Sequence, residues 1–269
     1  MKAGVIGHPI THSKSPMIHN HWMEFHKIKG TYEAIDIAPE NLQEKIANLI
    51  VQKFDGFNVT VPHKQTVMML CNTVDENAKN IGAVNTVIIK DQKLHGTNTD
   101  AFGFIQNIKW QSDFDFKDKT AFVLGAGGAA CAVIYGLIDA GVKQIKLSNR
   151  TRENAEVLAA LYPSVIKVID WEERSQAIDN VDFLVNTTSL GMQGKPPLEI
   201  SLDHLPAHAL VNDIVYAPLK TDLLNNASLR GNKIITGIGM LLHQARPAFE
   251  AWTGILPDVT DTLEGKITI

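Results

Sequence analysis

The sequence feature that most restricts the fold is an uncharged segment interrupted by glycines. Residues 121–138, AFVLGAGGAACAVIYGLI, contain no charged side chain, and Gly125, Gly127 and Gly128 lie close together within them. A membrane span needs about 20 consecutive apolar residues in one helix, and the glycine cluster breaks such a helix. A buried strand, a glycine turn and a buried helix fit this segment better.

The same segment contains the pattern G-x-G-x-x-G/A, with Gly125, Gly127 and Ala130 at its three positions. In this pattern the first glycine allows a tight turn, the second lets a pyrophosphate approach the backbone, and the third small residue lets the helix pack on the strand. The start of the helix also offers N–H groups to phosphate. We therefore predict a dinucleotide site; the alternative is a tight turn that binds no ligand.

The next strand pattern indicates which dinucleotide is bound. NAD sites usually have Asp or Glu at the end of this strand, where the carboxylate binds the ribose 2′-hydroxyl. Here the strand 144–148 is followed by Asn149, Arg150 and Arg152. A guanidinium binds a 2′-phosphate through two hydrogen bonds, whereas a carboxylate would repel it. The pattern favours NADP over NAD; the alternative is a solvent-exposed helix start with ordinary surface arginines.

Strand and helix patterns alternate along almost the whole chain, which predicts an α/β protein with mostly parallel sheets. A polar, charged segment at 106–119 separates two such α/β units, and the helix pattern at 240–252 is assigned to neither by its periodicity. The predicted strands are 3–6, 32–37, 56–61, 84–89, 121–124, 144–148, 165–169, 183–186, 210–215 and 233–236, and the clearest predicted helices are 39–52, 129–140, 152–161 and 240–252.

In the amino-terminal half, two serines precede a predicted helix. Ser15 and Pro16 fit the N-cap and the first position of that helix. Ser13 and Ser15 would then lie at the positive end of the helix dipole, where a carboxylate is stabilised. A hydroxyl that caps a helix is partly occupied, because it has only one proton to donate. From these residues alone, capping without a ligand is the favoured interpretation.

Further along, polar residues follow the ends of extended runs. One strand pattern stops at Pro62 and brings Thr60 and Lys64 to an edge where α/β proteins bind ligands. Asn85 and Asp100 lie near the ends of later extended segments. A lysine and an aspartate that meet in a cleft can move a proton to or from a substrate oxygen. The spacing does not show that they meet, and a solvated charge or a turn residue is the alternative for each.

Composition and charge argue against several protein classes. The 269 residues include 25 Lys+Arg and 29 Asp+Glu, a net charge of −4 at pH 7, which is unlike a nucleic-acid-binding or membrane-surface protein. Cys71 and Cys131 fit neither a disulfide framework nor a zinc site, so we expect a protein of the reducing cytoplasm. His12, His19 and His26 recur at a regular spacing, but no carboxylate or cysteine completes a ligand set, and we predict no metal.

Taken together, the motifs resemble those of the shikimate dehydrogenase family over nearly the whole chain. In chain order they are GHPITHSKSP, NVTVPHK, GAVNT, GTNTD, GAGGAA, SNRT, VNTTSLGM, NDIVY and GIGMLLHQ. The resemblance implies two α/β domains with a cleft between them. Residues 1–105, joined by carboxy-terminal helices in 238–269, would form the substrate domain, and residues 106–237 would form a Rossmann-type NADP domain. The implied reaction is the reversible NADPH-dependent reduction of 3-dehydroshikimate to shikimate in chorismate and aromatic amino acid biosynthesis.

The resemblance also implies roles for individual residues. Lys64 matches the catalytic lysine and is paired with Asp100. A basic residue is common three positions beyond Thr151, where this chain has Asn154, so we expect Arg152 to supply the second positive charge. The substrate contacts match Ser13 and Ser15, which would hold the carboxylate, and Thr60, Lys64, Asn85, Asp100, Tyr216 and Gln244. The cofactor contacts match Glu76, Gly125, Ala126, Gly127, Gly128, Ala129, Asn149, Arg150, Thr151, Thr187, Thr188, Met192, Ile214, Gly237 and Met240.

Two alternative functions stay open at this point. One is a quinate- or aminoshikimate-type dehydrogenase, although the presence of both Ser13 and Ser15 favours shikimate, because related quinate enzymes often have a smaller residue at one of these positions. The other is a nucleotide-sensing regulator, which has no need of both Lys64 and Asp100 for proton transfer. We expect a cytoplasmic monomer or homodimer whose partner is a small molecule and that binds neither nucleic acid nor membrane.

Overall fold

The computed structural model describes residues 1–268, which divide into two compact units. The first unit comprises Met1–Asp100 together with the segment that begins at Leu242, and the second comprises Ala101–Leu241. Each unit contains a six-stranded sheet. Among the described residues, no helix combines the length and the apolar character needed to cross a bilayer.

Strands and helices alternate through most of the chain, as the sequence predicts. In chain order they are β1 (Lys2–Gly7), α1 (Ser15–Phe25), β2 (Thr31–Asp36), α2 (Leu42–Val51), β3 (Gly56–Val59), α3 (Lys64–Leu70), β4 (Thr73–Val74), α4 (Glu76–Ile81), β5 (Thr86–Lys90), β6 (Lys93–Thr97), α5 (Asp100–Gln111), β7 (Thr120–Leu124), α6 (Gly128–Asp139), β8 (Gln144–Ser148), α7 (Arg152–Leu161), β9 (Ile166–Ile169), β10 (Phe183–Asn186), β11 (Leu210–Asp213), α8 (Asp222–Leu229), β12 (Ile234–Ile235), α9 (Ile238–Thr253) and α10 (Asp261–Thr268).

The sheet of the first unit is mixed. Its strand order is β2-β1-β3-β5-β6-β4, and β1 pairs in parallel with β2 and β3, whereas β5 runs antiparallel to β3 and β6. A two-residue turn joins β5 to β6, and the φ values of 50° at Asp91 and 59° at Gln92 fit a type I′ hairpin turn. The prediction of mostly parallel sheets is therefore confirmed for the second unit and holds only in part for the first.

The segment after Leu242 packs onto the amino-terminal part of the first unit. The indole N–H of Trp22 donates to the carbonyl of Asp258 over 3.0 Å. The indole N–H of Trp252 donates to the carbonyl of Val87 over 3.2 Å. α10 itself also contacts α1, so α10 lies beside α1 and the end of α9 lies beside β5, a placement that the periodicity of the sequence left open.

His19 of α1 lies in an aromatic cluster of the first unit. Its ring is fully buried and stacks on Tyr32, with ring centroids 4.1 Å apart and planes 5° apart. The rings of Trp22 and Phe249 lie 5.7 Å and 6.0 Å away. Burial lowers the pKa of His19 to about 3, and the nearby side chain of Asn58 offsets only part of that shift. The neutral imidazole is therefore a packed aromatic ring of the core.

The sheet of the second unit is fully parallel, with the strand order β12-β11-β10-β7-β8-β9. The chain leaves the central strand β7 through β8 and β9, and then continues on the other side of β7 through β10, β11 and β12. The order reverses between β7 and β10. Sheets of this kind bind ligands at the carboxyl ends of their strands, at such a reversal.

Both faces of this sheet are buried, which explains the uncharged run in β7. Ala121 and Val123 belong to one hydrophobic cluster, and Phe122 and Leu124 belong to the other. Successive side chains of a strand point to opposite faces, so a strand covered on both faces requires apolar residues at every position. Ala130 of α6 is fully buried in the first of these clusters, as the third position of the glycine pattern predicts.

Candidate active site

Lys64 and Asp100 form a hydrogen-bonded ion pair in the first unit. Lys64 is the first residue of α3, and Asp100 is the first residue of α5. The Nζ of Lys64 donates to Oδ2 of Asp100 over 2.5 Å, and the two side chains are 28% and 12% exposed. Because most of the pair is shielded from water, the carboxylate fixes the direction of the ammonium group. The pair combines a proton donor with a group that orients it.

Asn85 connects this pair to Gln244. Its Nδ2 lies 2.8 Å from Oδ1 of Asp100 and 3.3 Å from Oε1 of Gln244. Its Oδ1 accepts a hydrogen bond from the backbone N–H of Thr99 over 2.9 Å. Asn85 is itself buried, so these bonds set its orientation. The structure thus brings together four residues predicted to contact the substrate: Lys64, Asn85, Asp100 and Gln244.

A buried row of polar side chains adjoins Asn85, and the sequence analysis missed it. The hydroxyl of Tyr32 donates to Oδ1 of Asn58 over 2.7 Å, and Nδ2 of Asn58 donates to Oγ1 of Thr86 over 2.9 Å. Oγ1 of Thr86 donates in turn to Oδ1 of Asn85 over 3.0 Å. A buried amide is costly unless it is hydrogen-bonded, so an asparagine inside the apolar strand β3 was the available indication.

Ser13 and Ser15 lie at the start of α1, but Ser15 does not cap it. Lys14 is the N-cap and makes no side-chain capping bond, whereas Ser15 is already helical. The N–H of Ser15 donates to Oγ of Ser13 over 3.3 Å. Burial raises the pKa of the Tyr32 phenol well above its ordinary value, and the side chain of Ser15 opposes that shift. The predicted conflict between capping and ligand binding at Ser15 is therefore absent.

Thr60 follows β3 and lies against Gly7 at the end of β1. The N–H of Thr60 donates to the carbonyl of Ile6 over 2.9 Å. A Cβ at Gly7 would come within 2.5 Å of Cγ2 of Thr60, so glycine permits this close approach. Because β1 and β3 are parallel, Thr60 and the loop that leads to Ser13 leave the same edge of the sheet.

Glu76, which was predicted on the cofactor side, is the first residue of α4 and belongs to the first unit. Its exposed carboxylate pairs with Lys79 over 2.7 Å. The other predicted cofactor residues belong to the second unit. The prediction that Glu76 contacts the cofactor therefore stays a prediction.

The glycine turn of the second unit has the geometry that the motif predicts. Gly125 has a φ of 106°, in the left-handed region, and its N–H donates to the carbonyl of Ser148 over 2.8 Å. A Cβ at Gly125 would lie 2.7 Å from Oγ1 of Thr187. At Gly127 and Gly128 a Cβ would meet no atom within 4 Å. Gly127 is the N-cap of α6 and provides no side-chain cap, so the start of the helix is suited to phosphate.

Asn149 ties the glycine turn to the basic segment that follows β8. Its Oδ1 accepts a hydrogen bond from the N–H of Ala126 over 3.1 Å, and its Nδ2 donates to the carbonyl of Thr151 over 2.7 Å. An aspartate would provide the acceptor but not the donor. Asn149 therefore has a structural reason, besides cofactor preference, to occupy this position.

A cavity of about 430 Å³ lies between the glycine turn and these residues. Arg150 is the only residue with a cationic side chain among the described residues that line it, and Asn154 also lines it. Trp171 and Leu190 contribute an apolar wall. The remaining lining residues are Ala126, Gly127, Asn149, Thr151, Thr188, Ser189 and Pro196.

Arg152, which was predicted to supply a second positive charge, is engaged elsewhere. Its Nε donates to Glu156 over 2.8 Å, and its Nη1 contacts Asp170. Both acidic partners raise the pKa of the guanidinium further, chiefly through the hydrogen bond that Arg152 donates to Asp170. Arg152 does not line the cavity described above.

The remaining predicted residues lie near the carboxyl ends of β10 to β12. Thr187 donates through Oγ1 to the carbonyl of Leu124 over 2.7 Å, which joins this loop to the glycine turn. A Cβ at Gly237 would lie 2.3 Å from the carbonyl oxygen of Ile214, and the N–H of Met240 donates to Gly237 over 3.1 Å. Ile214, Gly237 and Met240 are thus brought together. Tyr216 is partly buried, and burial raises the pKa of its phenol.

Family models match three segments of the chain. The family model described as the shikimate dehydrogenase substrate binding domain matches residues 5–87. The model described as shikimate / quinate 5-dehydrogenase matches residues 108–192, and that of the shikimate 5'-dehydrogenase C-terminal domain matches residues 237–264. A protein of Paramagnetospirillum magneticum named shikimate dehydrogenase (NADP(+)) is 49% identical over 98% of this chain and 97% of its own length.

Two solved structures are similar in both sequence and fold. Shikimate dehydrogenase from Aquifex aeolicus is 37% identical, with a TM-score of 0.90, and the match covers 99% of this chain and 97% of that one. Shikimate 5-dehydrogenase from Thermus thermophilus, solved in complex with NADP(H) and shikimate, is 34% identical with a TM-score of 0.89 and coverage of 100% and 98%.

Proposed function

The chain belongs to the shikimate dehydrogenase family, and on that basis we propose that it catalyses the reversible NADPH-dependent reduction of 3-dehydroshikimate to shikimate. It is an oxidoreductase that acts on a CH–OH group in chorismate and aromatic amino acid biosynthesis. The observation that supports this chemistry most directly is the Lys64–Asp100 pair, with Nζ 2.5 Å from Oδ2 and with Asn85 hydrogen-bonded to the same carboxylate.

The residues of the second unit fit NADP. The uncapped start of α6 suits the pyrophosphate, because its N–H groups and the helix dipole favour negative charge. Arg150 lines the adjoining cavity and would bind the 2′-phosphate, while Asn149 holds the turn and the basic segment together. When bound, the nicotinamide supplies the hydride for reduction or accepts it in the reverse direction.

Lys64 provides the proton in the reduction. As the substrate carbonyl oxygen gains negative charge, the ammonium group stabilises it and donates a proton to it. In the oxidation of shikimate, the neutral amine accepts the hydroxyl proton. Asp100 orients Lys64 through the 2.5 Å hydrogen bond and is itself oriented by Asn85. General acid–base assistance of this kind contributes about 10²- to 10⁴-fold to the rate.

The first unit would hold the substrate, and the second unit would hold the cofactor. Ser13 and Ser15 would bind the carboxylate, and Ser15 has its hydroxyl beside Tyr32 rather than in a helix cap. Thr60, Asn85 and Gln244 would bind ring hydroxyls. Tyr216, in the second unit, is the remaining proposed substrate contact.

We also propose that the protein acts in the cytoplasm, as a monomer or a homodimer, and that its partners are small molecules rather than nucleic acids. The net charge of −4 supports the last point, since nucleic-acid binders are usually basic. Size-exclusion chromatography with light scattering distinguishes the two oligomeric states.

The test is a matrix of absorbance assays at the NADPH band, with shikimate or quinate paired with NADP⁺ or NAD⁺. We expect fast turnover with shikimate and NADP⁺. Faster turnover with quinate or NAD⁺ would reassign the chain to a related dehydrogenase. A folded protein that binds nucleotide but turns over neither substrate would favour the regulatory alternative.

Lys64→Ala tests the mechanism in the same assay. We expect kcat to fall about 10²- to 10⁴-fold with a modest change in KM for shikimate, because the lysine acts mainly in the transition state. Lys45→Ala, on the exposed side of α2, is the matched control and is expected to behave like the parent protein. Near-normal turnover of Lys64→Ala would remove Lys64 from the catalytic role.

A further inference from the structure

Asp213, at the end of β11, is a buried carboxylate that the proposed mechanism does not use. Its side chain is fully buried. Oδ2 accepts a hydrogen bond from the hydroxyl of Thr221 over 2.7 Å, and Oδ1 accepts from Nδ2 of Asn186 and the N–H of Val215, each over 3.0 Å. Burial raises the pKa of this carboxyl to about 6, against the opposing effect of the three hydrogen bonds. Burying a charged carboxylate costs free energy, so the position of Asp213 calls for an explanation.

The first hydrogen-bond partner, Asn186, holds the loop that follows β10. Asn186 and Asp213 are paired in register at the ends of neighbouring strands. Oδ1 of Asn186 accepts from the N–H of Thr188 over 3.0 Å and from its hydroxyl over 2.7 Å. Nδ2 of Asn186 also donates to the carbonyl of Leu190 over 3.1 Å. This one amide therefore fixes the loop of residues 187–192, which contains the proposed cofactor residues Thr188 and Met192.

The other two partners hold the segment that contains Tyr216. Val215 immediately precedes Tyr216, and its N–H is fixed by Asp213. Thr221 is the N-cap of α8, the helix that follows this segment, and its hydroxyl accepts a hydrogen bond from the N–H of Leu224 over 3.5 Å. Asp213 thus sets both the beginning and the end of residues 215–221.

The two segments also touch each other beside the carboxylate. The N–H of Gln193 donates to the carbonyl of Ala217 over 2.8 Å. Gly191 packs beside Thr221, since a Cβ at Gly191 would lie 3.6 Å from Cβ of Thr221. The spacing between the cofactor loop and the Tyr216 segment is therefore determined in one place, within the second unit.

We propose that Asp213 is a positioning residue that holds the loop of residues 187–192, through Asn186, at a fixed spacing from Tyr216, through Val215 and Thr221. The proposal rests on the proposed function for the roles of Thr188, Met192 and Tyr216. An ionised carboxylate suits this task because it only accepts hydrogen bonds, so its three donors have a single arrangement. An asparagine at this position has one acceptor oxygen and one donor NH₂ group. If the NH₂ group faces Thr221, the Thr221 hydroxyl must accept a hydrogen bond instead of donating one.

The experiment compares Asp213→Asn, Thr221→Val and Thr221→Ser, with Thr253→Val as the matched control. Thr253 lies in α9, outside the proposed site, and its hydroxyl donates to the carbonyl of Phe249 over 2.7 Å. Each variant is assayed for kcat and for KM of both ligands per folded molecule, for NADP⁺ affinity by calorimetry, and for melting temperature. Thr221→Ser keeps the hydroxyl, so it reports whether the hydrogen bond itself is what matters.

We expect Asp213→Asn and Thr221→Val to lose about ten- to a hundredfold in kcat/KM per folded molecule and to bind NADP⁺ more weakly, the scale of a small displacement of reacting groups. Thr221→Ser keeps the hydroxyl and is expected to retain most of the parent protein's kcat/KM and NADP⁺ affinity. Thr253→Val is expected to match the parent protein in both. Kinetic constants unchanged in Asp213→Asn and Thr221→Val, with only the melting temperature lowered, would reduce Asp213 to a structural role and overturn the proposal.

The failure of this inference is distinguishable from that of the proposed function. If the parent protein neither oxidises shikimate nor binds NADP⁺, the proposed function is wrong, and the positioning role is overturned together with it. If the parent protein oxidises shikimate and binds NADP⁺, and the variants match it in both, only the positioning role is overturned. If Asp213→Asn does not fold, Thr221→Val and Thr221→Ser decide the question, because neither changes a buried charge.

Discussion

Replacing His19 by phenylalanine is expected to remove one pH-dependent cost from the stability of the first unit. His19 is 0% exposed, and burial lowers its pKa from 6.5 to about 3. The unfolded chain therefore binds a proton near pH 6.5, whereas the folded chain binds it only near pH 3. The stability that depends on the neutral ring is complete above the unfolded pKa and is lost as the pH falls through this window.

The magnitude follows from the width of the window. One pKa unit corresponds to about 1.4 kcal/mol, so the full shift corresponds to about 5 kcal/mol near the lower end. At about pH 5 the expected loss is about 2 kcal/mol. Phenylalanine keeps an aromatic ring against Tyr32 and cannot be protonated. The difference in free energy of unfolding between His19→Phe and the parent protein is therefore expected to shift by about 2 kcal/mol in favour of the variant between about pH 7.5 and about pH 5.

Urea denaturation followed by circular dichroism at these two pH values measures the shift. His12→Phe makes the same change at an exposed position of the first unit and serves as the control. A difference that stays constant with pH would refute the reasoning, because the folded protein would then protonate His19 as easily as the unfolded chain does. An equal shift in His12→Phe would show that burial is not the cause.

Three further sets of substitutions test the proposed sites. Ser13→Gly is expected to raise kcat/KM for quinate relative to shikimate, because quinate has an extra ring hydroxyl to accommodate; an unchanged ratio in the absorbance assay would remove this size argument. Arg150→Ala is expected to raise KM for NADP⁺ about ten- to a hundredfold, the value of a lost charged hydrogen bond, with little change for NAD⁺. Arg152→Ala, whose guanidinium is ion-paired outside the cavity, is expected to change this preference less, and equal effects would place both arginines at the 2′-phosphate. Gly125→Ala is expected to lower both melting temperature and NADP⁺ affinity, because its φ is 106° and its Cβ would lie 2.7 Å from a side-chain oxygen; a calorimetric titration that matches the parent protein would contradict this.

Sequence patterns predicted the second unit well, because local preference and tertiary packing agree there. The predicted strands 144–148 and 183–186 and the predicted helix 152–161 have the bounds observed for β8, β10 and α7. All four residues of β10 are buried, β8 alternates buried Ile145 and Leu147 with polar residues, and the helix α7 has an amphipathic pattern. Each of these patterns favours one type of secondary structure.

The first unit was predicted less completely, because parts of it depend on pairing partners distant in sequence. β4 has only two residues and is defined by its pairing with β6. The β5–β6 hairpin turns at Asp91 and Gln92, which adopt positive φ without the glycine or asparagine typical of such turns. The error of one position at Ser15 has a local origin, since Pro16 fits either the first or the second helical position.

For the site, the sequence supplied the residue types but not their contacts. Lys64 and Asp100 are 36 positions apart and begin different helices, so only the folded structure places their side chains together. Asn186 ends the predicted strand 183–186, whereas Asp213 lies inside the predicted strand 210–215, which in the structure ends at Asp213. A polar residue within each of two apolar strand patterns was the available indication, and the structure pairs these two positions in register.

The division of the first unit between two distant parts of the chain has a consequence for synthesis on the ribosome. Ala101–Leu241 is continuous, so its sheet can form as soon as these residues have emerged. The indole of Trp22 acquires its partner carbonyl only when Asp258 has been translated. During that interval the second unit of the nascent chain is complete, while the apolar side of α1 is not yet packed against the segment that begins at Leu242. Translation that stalls after Leu241 would present that surface to chaperones and proteases.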